Sequence, residues 1–290
     1  MNLQNSFLKK LEENVTGFHS YSQEREDVII KNILEILGEP KEEQNWCVEF
    51  GAWDGIHASN TYHFIKEERF KSVLIEGDKE KHKELVSNMK NYSANCIHQY
   101  VTFDGESRLD SIFAKTDLPK EFSFISIDID GNDYYIWESL IEYRPKLVVI
   151  EFNPTLSNEV EFVQERDFSL NHGCSPLSLV KLAKEKGYEL VATTVNNCFF
   201  VDKKYFQLFE IEDNSLCKIR TDLSHVTYIF NGYDGKVFVR GYNRLYLHTL
   251  PYNEKRMQLI PSYLRGWNIQ NRFLKTLQRL HRSLKKRNIL

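Results

Sequence analysis

The densest grouping of reactive side chains is Ser126-Ile127-Asp128-Ile129-Asp130-Gly131-Asn132-Asp133, answered further along by Glu151-Phe152-Asn153-Pro154. Each group closes an apolar run (122–129 and 146–152) that reads as a strand. Tips of adjacent strands in an open α/β sheet converge on the crevice where such sheets bind ligands. Asp128, Glu151 and Asn153 offer oxygen donors only, the set that Mg2+ or Mn2+ prefers. An ion held there lowers the pKa of a bound hydroxyl and aligns it with an electrophile. Asp128 and Asp130, with His172 on a long loop, are then the candidate catalytic groups, Asp130 or His172 taking the proton. The plainer alternative is that Asp128 and Glu151 only cap helices or accept backbone N–H groups. Against it, carboxylates crowded at neighbouring tips repel one another unless a cation is present.

A second stretch, Trp46-Cys47-Val48-Glu49-Phe50-Gly51-Ala52-Trp53-Asp54-Gly55, reads as a buried strand running into a turn of small residues. Val48 and Phe50 suit a parallel strand covered on both faces, and Gly51, Ala52 and Gly55 keep the turn open enough for backbone N–H groups to meet a ligand. A helix over 57–69 and a strand over 72–75 follow, and that strand ends in Glu76, placed to accept hydrogen bonds from a ribose diol. The turn is not G-x-G-x-x-G, because Trp53 interrupts it. With Glu76 downstream it points to a nucleoside-bearing cofactor, a bare strand-to-helix connection being the alternative. Asp104, in Thr102-Phe103-Asp104-Gly105, is either an acceptor for an adenine amino group or a plain turn residue. His57 reads as a first-turn helix residue rather than a base.

These residues need a scaffold, and the sequence supplies a strict alternation. Strands are expected at 46–50, 72–76, 95–103, 122–129 and 146–152, with helices at 78–90, around 109–113, and at 133–143 between them. A long loop over 153–175, substrate-facing or mobile, precedes a helix at 176–186, a strand at 188–195 and an antiparallel return at 198–201. The fold expected is α/β, a doubly wound, mostly parallel sheet of seven strands. Helical periodicity at 3–14 and 23–37, the second capped by Ser22 and stopped by Gly38 and Pro40, makes residues 1–45 a pair of covering helices. Tyr21-Ser22-Gln23 lies over either the cofactor pocket or plain core. The chain thus divides into 1–45, a cofactor-binding domain at 46–203, a β-rich extension at 204–264 and a basic amphipathic helix at 265–290.

Composition narrows the classes. At 41% hydrophobic and 27% charged the 290 residues suit a soluble globular chain. No apolar run reaches the ~18 residues of a membrane span, and Met1-Asn2-Leu3-Gln4-Asn5 lacks a signal-peptide plan, so a cytoplasmic location is expected. Five scattered cysteines without a C-x-x-C pair read as free thiols. The net charge is −3, yet 265–290 carries eight cations and no acid, leaving −11 for residues 1–264. An acidic body argues against a nucleic-acid substrate. The basic tail has three partners open to it: the acidic body, an anionic membrane surface on the cytoplasmic side, or an acidic polymer.

The combination resembles the FkbM family of methyltransferases, within the class I S-adenosylmethionine-dependent fold. The likeness runs from Tyr21-Ser22-Gln23 with Glu26-Asp27, through Glu49-Phe50-Gly51-Ala52-Trp53-Asp54-Gly55 and Ser59-Asn60-Thr61, to Glu76. It continues through Leu109-Asp110 and Ile127-Asp128-Ile129-Asp130-Gly131 to Val149-Ile150-Glu151, covering about residues 20–155. It implies O-methylation of sugar or natural-product hydroxyls, with a carbohydrate or glycolipid as acceptor. Glu49, Gly51, Ala52, Asp54, Gly55, Ser59, Asn60, Glu76, Asp104 and Asp128 would then serve S-adenosyl-L-methionine, and Asp128, Glu151 and Asn153 a divalent ion. The chain departs from the family where Asp130 replaces Glu and Asn132-Asp133 replaces a small residue followed by an acid. Two other readings stand beside it: a glycosyltransferase using Asp128-x-Asp130, and an assembly module without catalysis.

Overall fold

The computed structural model describes residues 18–38, 45–246, 248–260, 265 and 272–286. The chain forms two compact units, Met1–Leu223 and Ser224–Leu290. In the first, a seven-stranded sheet runs β3-β2-β1-β4-β5-β7-β6, with β1 Trp46–Phe50, β2 Lys71–Glu76, β3 Ala94–His98, β4 Glu121–Ile127, β5 Arg144–Glu151, β6 Tyr188–Thr193 and β7 Asn197–Asp202. All pairings are parallel except those of β7 with β5 and β6. This is the doubly wound, mostly parallel, Rossmann-like arrangement that the alternation of elements predicts.

β1 sits between β2 and β4 because it is apolar on both sides. Cys47, Val48 and Phe50 are fully buried, and each such side chain stabilises the fold by roughly 1.5–3 kcal/mol through area removed from water. Register does the rest. Phe50 pairs with Ile75 and with Ile127, and Ile127 with Ile150. The next residue on each strand therefore falls on one level at the carboxyl edge: Gly51, Glu76, Asp128 and Glu151.

The helices are α1 Glu26–Ile36, α2 Tyr62–Glu67, α3 Lys79–Met89, α4 Leu109–Phe113, α5 Asp133–Ser139, α6 Pro176–Lys186 and α7 Leu216–Ile219. Several are shorter than expected, each for a local reason. α2 begins at Tyr62 rather than 57, because residues 52–61 form a turn in which Trp53 and Ala58 take left-handed backbone angles. α5 stops at Ser139, where the Asp110 carboxylate takes the N–H groups of Ile141 and Glu142 at 3.0 Å each. β3 ends at His98, after which the Gln99 N–H bonds the carbonyl of Glu76. α1 begins after a left-handed Arg25, so Ser22 is not the residue just before it, although the Ser22 hydroxyl accepts the Asp27 N–H at 3.2 Å. The helix expected at 3–14 lies outside the described residues.

Phe209, Ile211, Leu216 and Ile219 join the main core, and the Arg220 guanidinium donates to the carbonyls of Pro154 and Leu156. The first unit consequently runs past 203 to Leu223. The second unit contains a hairpin, β8 Thr227–Asn231 with β9 Val237–Gly241, and helix α8 Arg272–Lys286. No helix among the described residues is long and apolar enough to cross a membrane.

Candidate active site

At the β1 and β2 tips, backbone N–H groups meet acids. Glu76 accepts from the N–H of Trp53 at 2.8 Å and of Asp78 at 2.7 Å, clamping the two turns together. Asp54 accepts from the N–H groups of Ile56 and His57, and its second oxygen bonds the His57 imidazole. Burial alone would raise the Asp54 pKa, but these donors hold it below the ordinary value. His57 is thus an Asp54 partner in a turn, not a helix residue. Ala52 is pinned through its N–H to the Ile75 carbonyl at 3.2 Å.

Gly51 has φ +70°, and a Cβ there would lie 2.1 Å from the carbonyl oxygen of Asp128. Only glycine permits the β1 turn and the β4 tip to touch. Gly55 is also left-handed, but its missing Cβ makes room for Leu85 and Met89, so its role is helix packing. Beside Glu76, Gly77 lies under the exposed ring of Tyr100, 2.4 Å from where a Cβ would be. That ring is a flat face for a base, and nothing local in the sequence marks it.

Three expected cofactor contacts turn out to be internal. Glu49 is buried and accepts from the Ser59 hydroxyl at 2.7 Å, the Thr61 hydroxyl at 2.6 Å and the Asn60 N–H at 2.8 Å. Asn60 Nδ2 donates to Ser126 Oγ at 2.9 Å. Glu49, Ser59 and Asn60 therefore brace the turn beneath the crevice, both Glu49 oxygens being occupied by that turn. Asp104 is exposed at the start of a short 3-10 turn, its carbonyl accepting from the Thr102 hydroxyl, which is the plain turn role.

At the β4 and β5 tips the acids face one another. Oxygens of Asp128, Asp130 and Glu151 lie within 4.8 Å of each other. Asp130 is exposed and left-handed (φ +57°), a strain of about 1 kcal/mol or more that the turn must hold. Asp133 holds it: buried, it accepts the N–H of Ile129 at 2.8 Å and of Gly131 at 2.9 Å. Burial, then the charges of Asp133, Asp130 and Glu49, push the Asp128 carboxyl up to about 7. Burial raises Asp133 to about 6 against the pull of its amide donors. Burial, then Asp128, Asp133 and Asp130, drive Glu151 well above the usual carboxylate range.

Asn153 does not join this set. Its Oδ1 accepts from the Thr155 N–H at 3.0 Å and hydroxyl at 2.6 Å, and its Nδ2 donates to the His172 carbonyl at 2.9 Å. Asp130 supplies the third oxygen in its place. Three carboxylates that offer only oxygen are the donor set that would suit Mg2+ or Mn2+. Among the described residues, Asn196 Nδ2 donates to Glu151 at 3.3 Å. Asn196 in turn accepts from Asn197, which also donates to the buried Glu26 of α1. These contacts span some 170 residues of sequence, so no local pattern announces them.

The long loop is neither slack nor featureless. Gln164, buried, accepts the N–H groups of His172 and Gly173 through Oε1 and donates to the carbonyls of Asp167 and Leu170 through Nε2, while its carbonyl accepts from Tyr135. The loop is bolted to the acidic turn, since Asn132 Nδ2 donates to the Asp167 carbonyl and a Cβ on Gly131 would lie 2.9 Å from the Leu170 carbonyl. Phe168 stacks on Phe103 with centroids 5.1 Å apart. His172 is exposed near the Asn153 end. On the opposite flank, Asp27 gathers the hydroxyls of Ser20 and Ser22 and the Tyr21 N–H, and Tyr21 packs edge-on against Tyr62. Sequence reasoning assigned no role to Asp133, Gln164, Asn196 or Tyr100.

No protein-family model matches the chain, and no curated protein matches it. Among solved structures it is similar to CurJ carbon methyltransferase (8% identity, TM-score 0.41, covering 61% of this chain and 54% of that one). It is also similar to a caffeoyl-CoA O-methyltransferase, so described on a provisional basis, from Staphylococcus aureus (14%, TM-score 0.40, 70% and 93%). A third is a SAM dependent methyltransferase from Aquifex aeolicus (10%, TM-score 0.34, 60% and 96%). The chain spans about half the length of the first of these.

Proposed function

We propose that the chain is an S-adenosylmethionine-dependent O-methyltransferase of FkbM-like type, acting on a hydroxyl of a carbohydrate or glycolipid with a divalent ion at Asp128, Asp130 and Glu151. One observation carries this reading: Gly51 lies against the Asp128 carbonyl, so the donor-side turn and the acidic tip share one crevice. Glu76 keeps lone pairs beyond its two amide contacts for a ribose diol, and Tyr100 offers its ring beside it. When bound, S-adenosylmethionine supplies an electrophilic methyl group, and the ion lowers the pKa of the acceptor oxygen. The chain's own part is to hold that oxygen beside Asp128, to fix the acidic turn through Asp133, and to accept the proton at Asp130, the solvent-facing member of the set. His172, on the loop above, is the second candidate for that proton.

Titration calorimetry tests the donor. S-adenosylmethionine and its demethylated product should both bind. If neither binds, or if a nucleotide sugar binds in their place, the reading fails, the second result favouring a glycosyltransferase. Transfer of labelled methyl to a panel of glycans, with chelator and then with Mg2+ or Mn2+ restored, tests the acceptor and the ion.

A further inference from the structure

Helix α8 belongs to the second unit, and the reading above has no use for it. The α-helix turns by about 100° per residue, so Phe273, Leu280 and Leu284 share one stripe along it. Arg272, Lys275, Arg279 and Lys286 share another, on the far side. Phe273 is 69% exposed and Leu280 55% exposed, and the four cations are exposed as well. Between Glu254 and the end of the chain there is no acid to neutralise them. A stripe of large apolar side chains opposite a row of exposed cations fits a boundary between hydrocarbon and anionic headgroups. The same unit carries further exposed apolar side chains, Ile229 at 58% and Tyr233 at 92%.

We propose that α8 is a membrane-surface helix that seats this protein on anionic lipid, its apolar stripe at the acyl boundary and its cations among phosphate headgroups. Lipid is favoured over a nucleic acid because a phosphate backbone alone gives Leu280 and Leu284 nothing to bury against. Charge sets the selectivity, since each cation near an anionic surface contributes about fivefold in partitioning, and this contribution is screened by salt.

The test is cosedimentation of the full chain with vesicles of phosphatidylcholine alone and of phosphatidylcholine with phosphatidylglycerol. Binding should require the anionic lipid and weaken as salt is raised. Replacing Lys275 and Arg279 together by Gln should lower partitioning roughly 25-fold, and Leu280→Asp should abolish it. Both variants should keep the melting temperature and the affinity for S-adenosylmethionine. Equal binding to neutral vesicles, indifference to these substitutions, or retention on RNA or DNA with vesicles ignored would overturn the proposal. So would absence of any vesicle binding, the result expected if the helix instead docks on the protein's own acidic surface.

Discussion

Two ends of one sheet edge treat their acids in opposite ways. On the β1–β2 side, Asp54 and Glu76 each take backbone N–H groups at 2.7–2.9 Å, and Glu49 takes three donors from the turn above it. On the β4–β5 side, Asp128, Asp130 and Glu151 stand within reach of one another, and the side-chain donor given to Glu151 is a 3.3 Å amide. Carboxylates supplied with donors build a rigid floor. Carboxylates left facing each other store repulsion that a cation or a proton must relieve. In the function proposed above, the first kind positions and the second kind acts.

Substitution at Asp128 separates the two kinds most sharply. Asp128→Asn should reduce methyl transfer by 10²–10⁴-fold and weaken Mn2+ binding, while affinity for S-adenosylmethionine, read by calorimetry, changes far less. A parallel loss of both would mean that the two sides act as one site. Next in size is Gly51→Ala. The added methyl meets the Asp128 carbonyl in a backbone conformation that alanine disfavours, so stability should drop by about 2–4 kcal/mol in a denaturant melt. Glu76→Gln keeps the shape but gives up the charge and one acceptor, and donor affinity should fall roughly 5–30-fold. An unchanged affinity would make Glu76 a clamp alone.

A pH dependence of similar size comes last, and its sign is unusual for acids. Asp128, Asp133 and Glu151 hold protons more tightly when folded than when unfolded. Their contribution to stability is present below the ordinary carboxylate range and is lost as pH rises through about 6–7. A metal-free melt should therefore gain on the order of 1–3 kcal/mol in going from pH 7.5 to 5. Saturating Mg2+ should flatten that slope, and Asp128→Asn should be more stable than the parent chain at neutral pH. A slope of the opposite sign would mean that the acids are already compensated.

Much of this was legible in the sequence because it is local. The alternation of apolar runs gives the sheet, and the strand, glycine turn and acid of 46–76 give one side of the crevice within about thirty residues. The acids and amide at the ends of two apolar runs, Asp128 and Asp130 on one and Glu151 and Asn153 on the other, flag the other side. What stayed hidden depends on register and on distant partners. Whether Asn153 or Asp130 completes the oxygen set is decided by Thr155 and His172, which occupy Asn153. That Glu49 is spent on Ser59, Asn60 and Thr61 follows from a turn which the periodicity read as helix. The Glu26–Asn197–Asn196–Glu151 chain joins elements far apart in the sequence.

Gln164 has a practical corollary. Because one buried amide gathers the ends of the 164–173 segment, exposed positions between them, such as Glu165 and Asn171, are exchangeable without redrawing its frame. Randomising those positions should leave the loop folded as long as the glutamine is kept.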